Sequence, residues 1–105
     1  MKRLVLLAAL LLPAGAGQAA PRCPGQDTME MRLCAGLSLE ESNRRLQQEI
    51  PPAAFRQWRQ TTQALCARAY ASTRDGSIHP QLLVGCQDNL NRALLKEFEQ
   101  LNNQG

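Results

Sequence analysis

Residues 66–86 read CARAYASTRDGSIHPQLLVGC, and this stretch decides the fold. Its middle, Gly76-Ser77, is typical of a turn, because glycine adopts left-handed angles easily and serine favours the start of a helix. Cys66 and Cys86 each lie 10 residues from Gly76. Two antiparallel helices diverging from this turn would carry the cysteines at matching heights, near the separation of about 5.5 Å between Cα atoms that a disulfide needs. The stretch therefore predicts a helical hairpin, with a disulfide between its helices as the first-ranked pairing.

On either side of the turn, apolar residues recur at spacings of three and four, which predicts one buried face on each helix. The first helix begins at Pro52, where the missing N–H is harmless, and runs to about Thr73. The second begins near Pro80, with Ser77 or His79 as its cap. The inward residues predicted for the first helix are Phe55, Trp58, Thr62, Leu65, Cys66 and Ala69. Those predicted for the second helix are Leu83, Cys86, Leu90, Leu94, Phe98 and Leu101.

Before the hairpin, two capping boxes predict that the N-terminal helix is broken. Asp27 with Glu30 forms the first box, and Ser38 with Glu41 forms the second. Gly36 lies between them and is typical of a helix end. The alternation of period 2 that marks strands is absent from the sequence. We therefore expect an all-α fold: a small, disulfide-stapled helical bundle with a broken N-terminal helix and a long C-terminal helical hairpin.

The start of the chain has the three-part pattern of a secretory signal peptide. Lys2 and Arg3 give a positive start, residues 4–12 form an uncharged apolar run, and small residues follow. The run is too short to span a bilayer, which takes about 20 residues. We predict that residues 1–19 are a signal peptide and that residues 20–105 form a single domain, periplasmic or secreted and free of the membrane.

Four cysteines in an exported chain indicate disulfides rather than reactive thiols. They are Cys23, Cys34, Cys66 and Cys86. Three pairings are possible. In the first-ranked one, Cys23 ties the segment before the first helix to Cys34; the alternative, in which Cys23 or Cys34 reaches the hairpin, remains open. Their spacing matches neither the Cys-x-x-Cys of redox enzymes nor the close ligand pairs of a zinc site, so we expect no metal and no cofactor.

Charge and motifs argue against several classes of function. Lys2 and Arg3 are two of the 12 basic residues, and the rest nearly balance the 9 acidic ones, so nucleic-acid binding is not expected. The only histidine, His79, lies in a loop, and no phosphate-binding loop, serine elbow or zinc-protease motif occurs. We expect no catalytic residues and no enzyme activity. Trp58, the only tryptophan, should fill the core, with a role as a binding anchor as the alternative.

Several residues form an ordered pattern along the chain: Cys23, Thr28-Met29-Glu30, Cys34, Leu46, Trp58 with Cys66 eight residues on, Gly76-Ser77-Ile78, and Cys86 with Leu90. In this order and spacing the chain resembles the LprI N-terminal, lysozyme-inhibitor-like domain, a family of small exported bacterial helical proteins. It departs from the family pattern at Asn43, Ile50 and Thr62-Gln63. The resemblance implies a binding protein of the cell envelope, and some relatives are associated with inhibiting lysozyme.

The turn of the hairpin is the candidate binding element, because Arg74 or His79 could meet acidic groups in a cleft. Its residues are Arg74, Asp75, Gly76, Ser77 and His79. The alternative is that Gly76 and Ser77 only form the turn and cap the last helix. We predict an envelope binding protein with a protein partner, lysozyme being the first candidate. The alternative function is a structural or stress-related periplasmic interaction protein without lysozyme affinity.

Overall fold

A computed structural model describes residues 23–104 of the chain, and three α-helices carry its fold. The helices are α1 (Thr28–Glu49), α2 (Pro52–Ala69) and α3 (His79–Gln104), with a short 3-10 helix over Ala71–Thr73 between the last two. No strand occurs in the described range, so the predicted all-α class is confirmed. Within that range no helix combines the length and apolar character needed to cross a membrane. The predicted signal peptide, residues 1–19, lies outside the described residues.

The first helix is continuous, so the predicted break at Gly36 is wrong. Asp27 caps its start: Oδ1 accepts the N–H of Glu30 at 2.8 Å, and the carboxylate of Glu30 accepts a preceding backbone N–H at 3.0 Å. Ser38, predicted to cap a second helix, instead donates its hydroxyl to Asp88 on α3. Asp27 and Glu30 thus both cap the start of α1, with Glu30 bonded to Gln26 rather than to Asp27, whereas Ser38 makes a packing contact inside a helix of 22 residues.

Two prolines separate α1 from α2, as predicted. Ile50 has an extended backbone, with φ −129° and ψ 154°, which is the conformation that a residue before proline prefers. Pro52 then opens α2. The side chains that α2 buries are Phe55, Thr62 and Cys66. Leu65, predicted to face inward, is 54% exposed, so the apolar face of α2 is narrower than expected.

The hydrophobic core lies where the three helices meet. Leu46 of α1, Phe55 of α2 and Leu95 of α3 form its centre. Partly buried residues pack around them, namely Ile50, Trp58, Leu94 and Phe98. The most buried residues of α3 are Gln81, Asp88, Asn91 and Leu95. The buried face of α3 is therefore rotated about the helix axis from the predicted one, because α3 meets α1 partly through polar side chains. Leu101, which was predicted to face inward, is 63% exposed.

Both first-ranked disulfides are present. Cys23 is bonded to Cys34 with 5.5 Å between their Cα atoms, and Cys66 to Cys86 with 5.8 Å. The first bond ties the segment before α1 onto that helix. The second joins α2 to α3 and is buried at Cys66. The alternative pairing, in which the N-terminal cysteines reach the hairpin, is therefore wrong.

Candidate functional site

The turn between α2 and α3 is exposed and hydrogen-bonded to itself. Residues 74–78 are all exposed. The N–H of Gly76 donates to the carbonyl of Thr73 at 2.9 Å, and the N–H of His79 donates to the carbonyl of Gly76 at 3.2 Å. The 3-10 helix before the turn ends with the N–H of Arg74 donating to Ala71 at 3.2 Å. The turn thus has a defined shape, set by successive short-range backbone bonds.

The imidazole of His79 is fixed by Thr73, a contact that the sequence did not indicate. The hydroxyl of Thr73 donates to the carbonyl of Tyr70 at 2.8 Å, and its oxygen lies 2.9 Å from Nδ1 of His79. A hydroxyl has a single proton to donate. Because that proton is used on Tyr70, Nδ1 must be the donor in the second bond. This assigns the proton to Nδ1 and leaves Nε2 of the half-buried imidazole for a partner.

The predicted turn residues offer several kinds of contact side by side. Arg74 and Asp75 are exposed, and neither forms an ion pair within the described residues. Ile78, which the prediction left out, adds an apolar side chain that is 45% exposed. An exposed cation, an anion, an imidazole nitrogen and an apolar group on one rigid turn suit protein docking.

Away from the turn, in the middle of α3, a buried amide joins all three helices. Asn91 of α3 is only 2% exposed. Its oxygen accepts the indole N–H of Trp58 at 2.7 Å. Its nitrogen donates to Ser42 at 2.9 Å and to Asn43 at 2.8 Å. The predicted core position of Trp58 is confirmed, since it packs against the core, although the sequence reasoning missed Asn91.

A second polar cluster ties α1 to α3. Oδ2 of Asp88 accepts the hydroxyl of Ser38, and Oδ1 accepts Nε of Arg92 at 3.0 Å. Nη2 of Arg92 also donates to the carbonyl and hydroxyl oxygens of Ser38, at 3.1 and 2.9 Å. Glu41 lies 3.7 Å from the same nitrogen. Because these groups bond mainly to one another, the cluster is a structural tie.

An open groove of about 620 Å³ lies where α1 meets α2. Its floor includes Ile50 and Phe55, and its rim carries Arg56 and Arg59. The guanidinium of Arg59 lies over the ring of Phe55, 6.0 Å from the centroid. None of the described residues that line the groove is acidic. This groove therefore favours an anionic group on a partner.

Histidine, cysteine and acidic side chains are the groups that usually bind metal ions in proteins. No group of three or more histidine, cysteine, aspartate or glutamate side chains within residues 23–104 is placed to hold a metal ion. All four cysteines are in disulfides. No protein-family model, curated protein or solved structure matches the chain.

Proposed function

We propose that the chain is an exported binding protein of the cell envelope that docks on a protein partner, with lysozyme as the first candidate. The observation that carries the proposal is the exposed, hydrogen-bonded turn of residues 74–79. Two disulfides support an oxidising compartment, where such bonds form and persist. The signal-like residues 1–19 and the resemblance to the LprI N-terminal family support export and binding.

The turn suits insertion into a cleft because its shape is set before binding. A loop that is already ordered loses less conformational entropy on association than a mobile one. Its backbone bonds and the Thr73–His79 contact supply that order, and the Cys66–Cys86 bond joins the helices that flank it. The catalytic carboxylates of lysozyme give its cleft negative charge, which Arg74 is placed to meet.

The groove at Arg56 and Arg59 is a second observation, independent of the turn, that favours a partner with an acidic surface. Both guanidinium groups lack a carboxylate partner within the described chain, so an anionic surface would not displace an existing ion pair. The basic and acidic residues outside the signal nearly balance, so little long-range steering is expected. We expect an association rate that depends only weakly on ionic strength.

The lysozyme version is tested by adding the purified, oxidised protein in stoichiometric amounts to a muramidase assay. Inhibition is expected, and Arg74→Ala should weaken it at least ~10-fold, because arginines are frequent hot spots in interfaces. Arg68→Ala is the matched control, since Arg68 is exposed on α2 but lies before the turn. Unchanged lysis with several lysozyme types would remove lysozyme as the partner.

The alternative is a structural or stress-related interaction protein without lysozyme affinity. Asp75 favours it, because a carboxylate next to Arg74 would face the carboxylates of a lysozyme cleft. Under this alternative, envelope extracts should yield one specific partner that the wild-type protein captures and an Ile78→Asp variant does not. Arg68→Ala should capture it normally. Equal capture by the Ile78→Asp variant would show that the turn is not the docking element.

A further inference from the structure

A second groove, distinct from the turn, is lined in part by a residue whose buried side-chain amide has no hydrogen-bond partner. It has a volume of about 570 Å³ and lies between the Cys23–Cys34 disulfide and the start of α3. Gln81 lines it and is only 9% exposed. Both amide atoms of Gln81, Nε2 and Oε1, are buried and have no hydrogen-bond partner. None of the turn residues 74–79 lines this groove.

An amide in this state is unfavourable in the free protein. Burying a donor or an acceptor without a partner removes its hydrogen bonds to water and replaces them with nothing, which destabilises the folded state. The other buried amide of α3, Asn91, has every bond that its packing allows, so the fold can satisfy amides elsewhere. Unpaired buried polar groups are rare in proteins, and functional sites are where such local costs are expected.

The rest of the groove wall indicates the chemistry of its occupant. Pro24, Met31, Ala35 and the Cys23–Cys34 disulfide make the wall mainly apolar, and Ser38 adds a hydroxyl. None of the described residues that line it is charged. Met31 is 38% exposed, and methionine adapts to differently shaped apolar groups. The occupant should therefore be uncharged and largely apolar.

The amide specifies the polar part of the occupant. A glutamine side chain presents an N–H donor and a carbonyl acceptor next to each other. In an extended peptide, the N–H and C=O of one residue present the complementary pair, and main-chain bonds of this kind recur in peptide recognition. The terminal torsion of glutamine is broad, so rotation about it can turn the amide toward the groove.

We propose that this groove binds an extended, uncharged apolar peptide segment of a partner protein, with Gln81 pairing to the backbone of one of its residues. Its volume lies within the range of about 300–1,000 Å³ that is usual for ligand sites. This proposal does not depend on lysozyme or on the turn.

The test uses acetyl-Val-Ala-Val-amide as the probe, titrated into the oxidised protein and followed by NMR. Binding is expected with shift changes concentrated at Met31, Ala35 and Gln81. A matched depsipeptide, in which an ester oxygen replaces the N–H of the central alanine, should bind at least ~5-fold more weakly because it lacks the donor. Shift changes confined to residues 74–79, or no binding at millimolar peptide, would overturn the proposal.

The variant Gln81→Met separates the role of the amide from that of the groove. It keeps the length of the side chain and removes the unpaired groups, so the midpoint of thermal unfolding should rise while peptide affinity falls at least ~10-fold. Gln87→Met makes the same change on α3 at a residue that does not line the groove, and should leave affinity unchanged. A fall in the unfolding midpoint of Gln81→Met would show that the amide is already satisfied, for instance by buried water, and would overturn the proposal. Equal affinity in Gln81→Met would do the same.

Discussion

The interfaces that α3 makes with its two neighbours are built differently. Against α1, it places Asp88 and Asn91, two buried polar residues whose hydrogen bonds reach Ser38, Ser42 and Asn43. Against α2, the covalent bond between Cys66 and Cys86 joins the two helices. The first interface has several polar contacts, whereas the second combines one hydrogen bond, from Trp58 to Asn91, with a covalent bond that a change of redox conditions can remove.

The difference follows from how few hydrogen bonds join α2 to α3: within the described residues, Trp58 donates to Asn91 and no other side-chain hydrogen bond links the two helices. The side chains that α2 buries are Phe55, Thr62 and Cys66, and of these Cys66 is bonded covalently to α3. Leu65 faces solvent for half of its surface. A small domain gains limited stability from its hydrophobic core, so a covalent staple has a large relative effect. We therefore expect α2 to be the helix most sensitive to reduction.

The largest expected effect is the loss of the Cys66–Cys86 bond. In the double variant Cys66→Ala/Cys86→Ala, the free energy of unfolding should fall by about 3 kcal/mol, because the bond no longer restricts the unfolded chain. Urea denaturation measures the loss, and hydrogen exchange should show α2 losing protection before α1. The control is Cys23→Ala/Cys34→Ala, which frees only the segment before α1. If both double variants expose α2 equally, the proposed division between the two interfaces is wrong.

The next largest effect is expected at Asn91, whose side-chain amide bonds to both α1 and α2. Asn91→Ala should lower the free energy of unfolding by about 2 kcal/mol, because the indole N–H of Trp58 and the side chains of Ser42 and Asn43 lose a partner. Trp58 is the only tryptophan, so its fluorescence reports the change directly. Asn89→Ala, at an exposed position of the same helix, should stay within about 0.5 kcal/mol of the wild type. A similar loss in both variants would contradict the role of the buried amide.

A smaller effect is expected at the second polar cluster. Asp88→Ala should cost about 1–2 kcal/mol, since it leaves the hydroxyl of Ser38 and the guanidinium of Arg92 without their shared acceptor. The side chain of Arg92 is 37% exposed, so water can replace part of what is lost. Glu41→Ala should change stability by less than about 0.5 kcal/mol, because its contact with Arg92 is long and exposed. Equal losses of thermal stability in the two variants would show that the carboxylates of Asp88 and Glu41 contribute equally, contrary to this prediction.

The smallest effect distinguishes the interior of α1 from the segment that precedes it. Gly36→Ala should raise the free energy of unfolding by about 0.5–1 kcal/mol, since Gly36 is inside the helix and an added Cβ meets nothing within 4 Å. Gly25→Ala should instead lower the free energy of unfolding. Gly25 has φ of +92°, and its added Cβ would lie 2.8 Å from backbone atoms of Glu30 and Met31. Circular dichroism during thermal unfolding measures both, and a loss at Gly36 would indicate an unseen constraint on the helix.

Much of the fold was predictable because its signals are local. The spacing of Cys66 and Cys86 from the turn identified their bond, and Asp27 identified the start of α1. The predicted break at Gly36 was wrong because the side chain of Ser38 can make either of two hydrogen bonds. Its hydroxyl could cap a helix or meet Asp88, which is 50 residues away, and only packing decides between them.

The polar face of α3 was missed because polar residues were assigned to solvent. Ser38 and Ser42 are four residues apart, and Asp88 and Asn91 are three apart, so each pair lies on one helix face. Matching polar stripes on two helices were the available signal. The exposed turn was predicted, but the contact between Thr73 and His79 was not. The unpaired state of Gln81 has no signature in the sequence, since it depends on everything that surrounds the amide.

The two polar residues of α3 also fix how the helices line up along their axes. A shift of α3 by one helical turn, about 5.4 Å, would still offer leucines to the core. It would, however, put Val84 or Arg92 in the place of Asp88, and Gln87 or Leu95 in the place of Asn91. Neither direction of sliding supplies an acid and a short amide together. The bundle thus admits a single longitudinal alignment of α3 against α1.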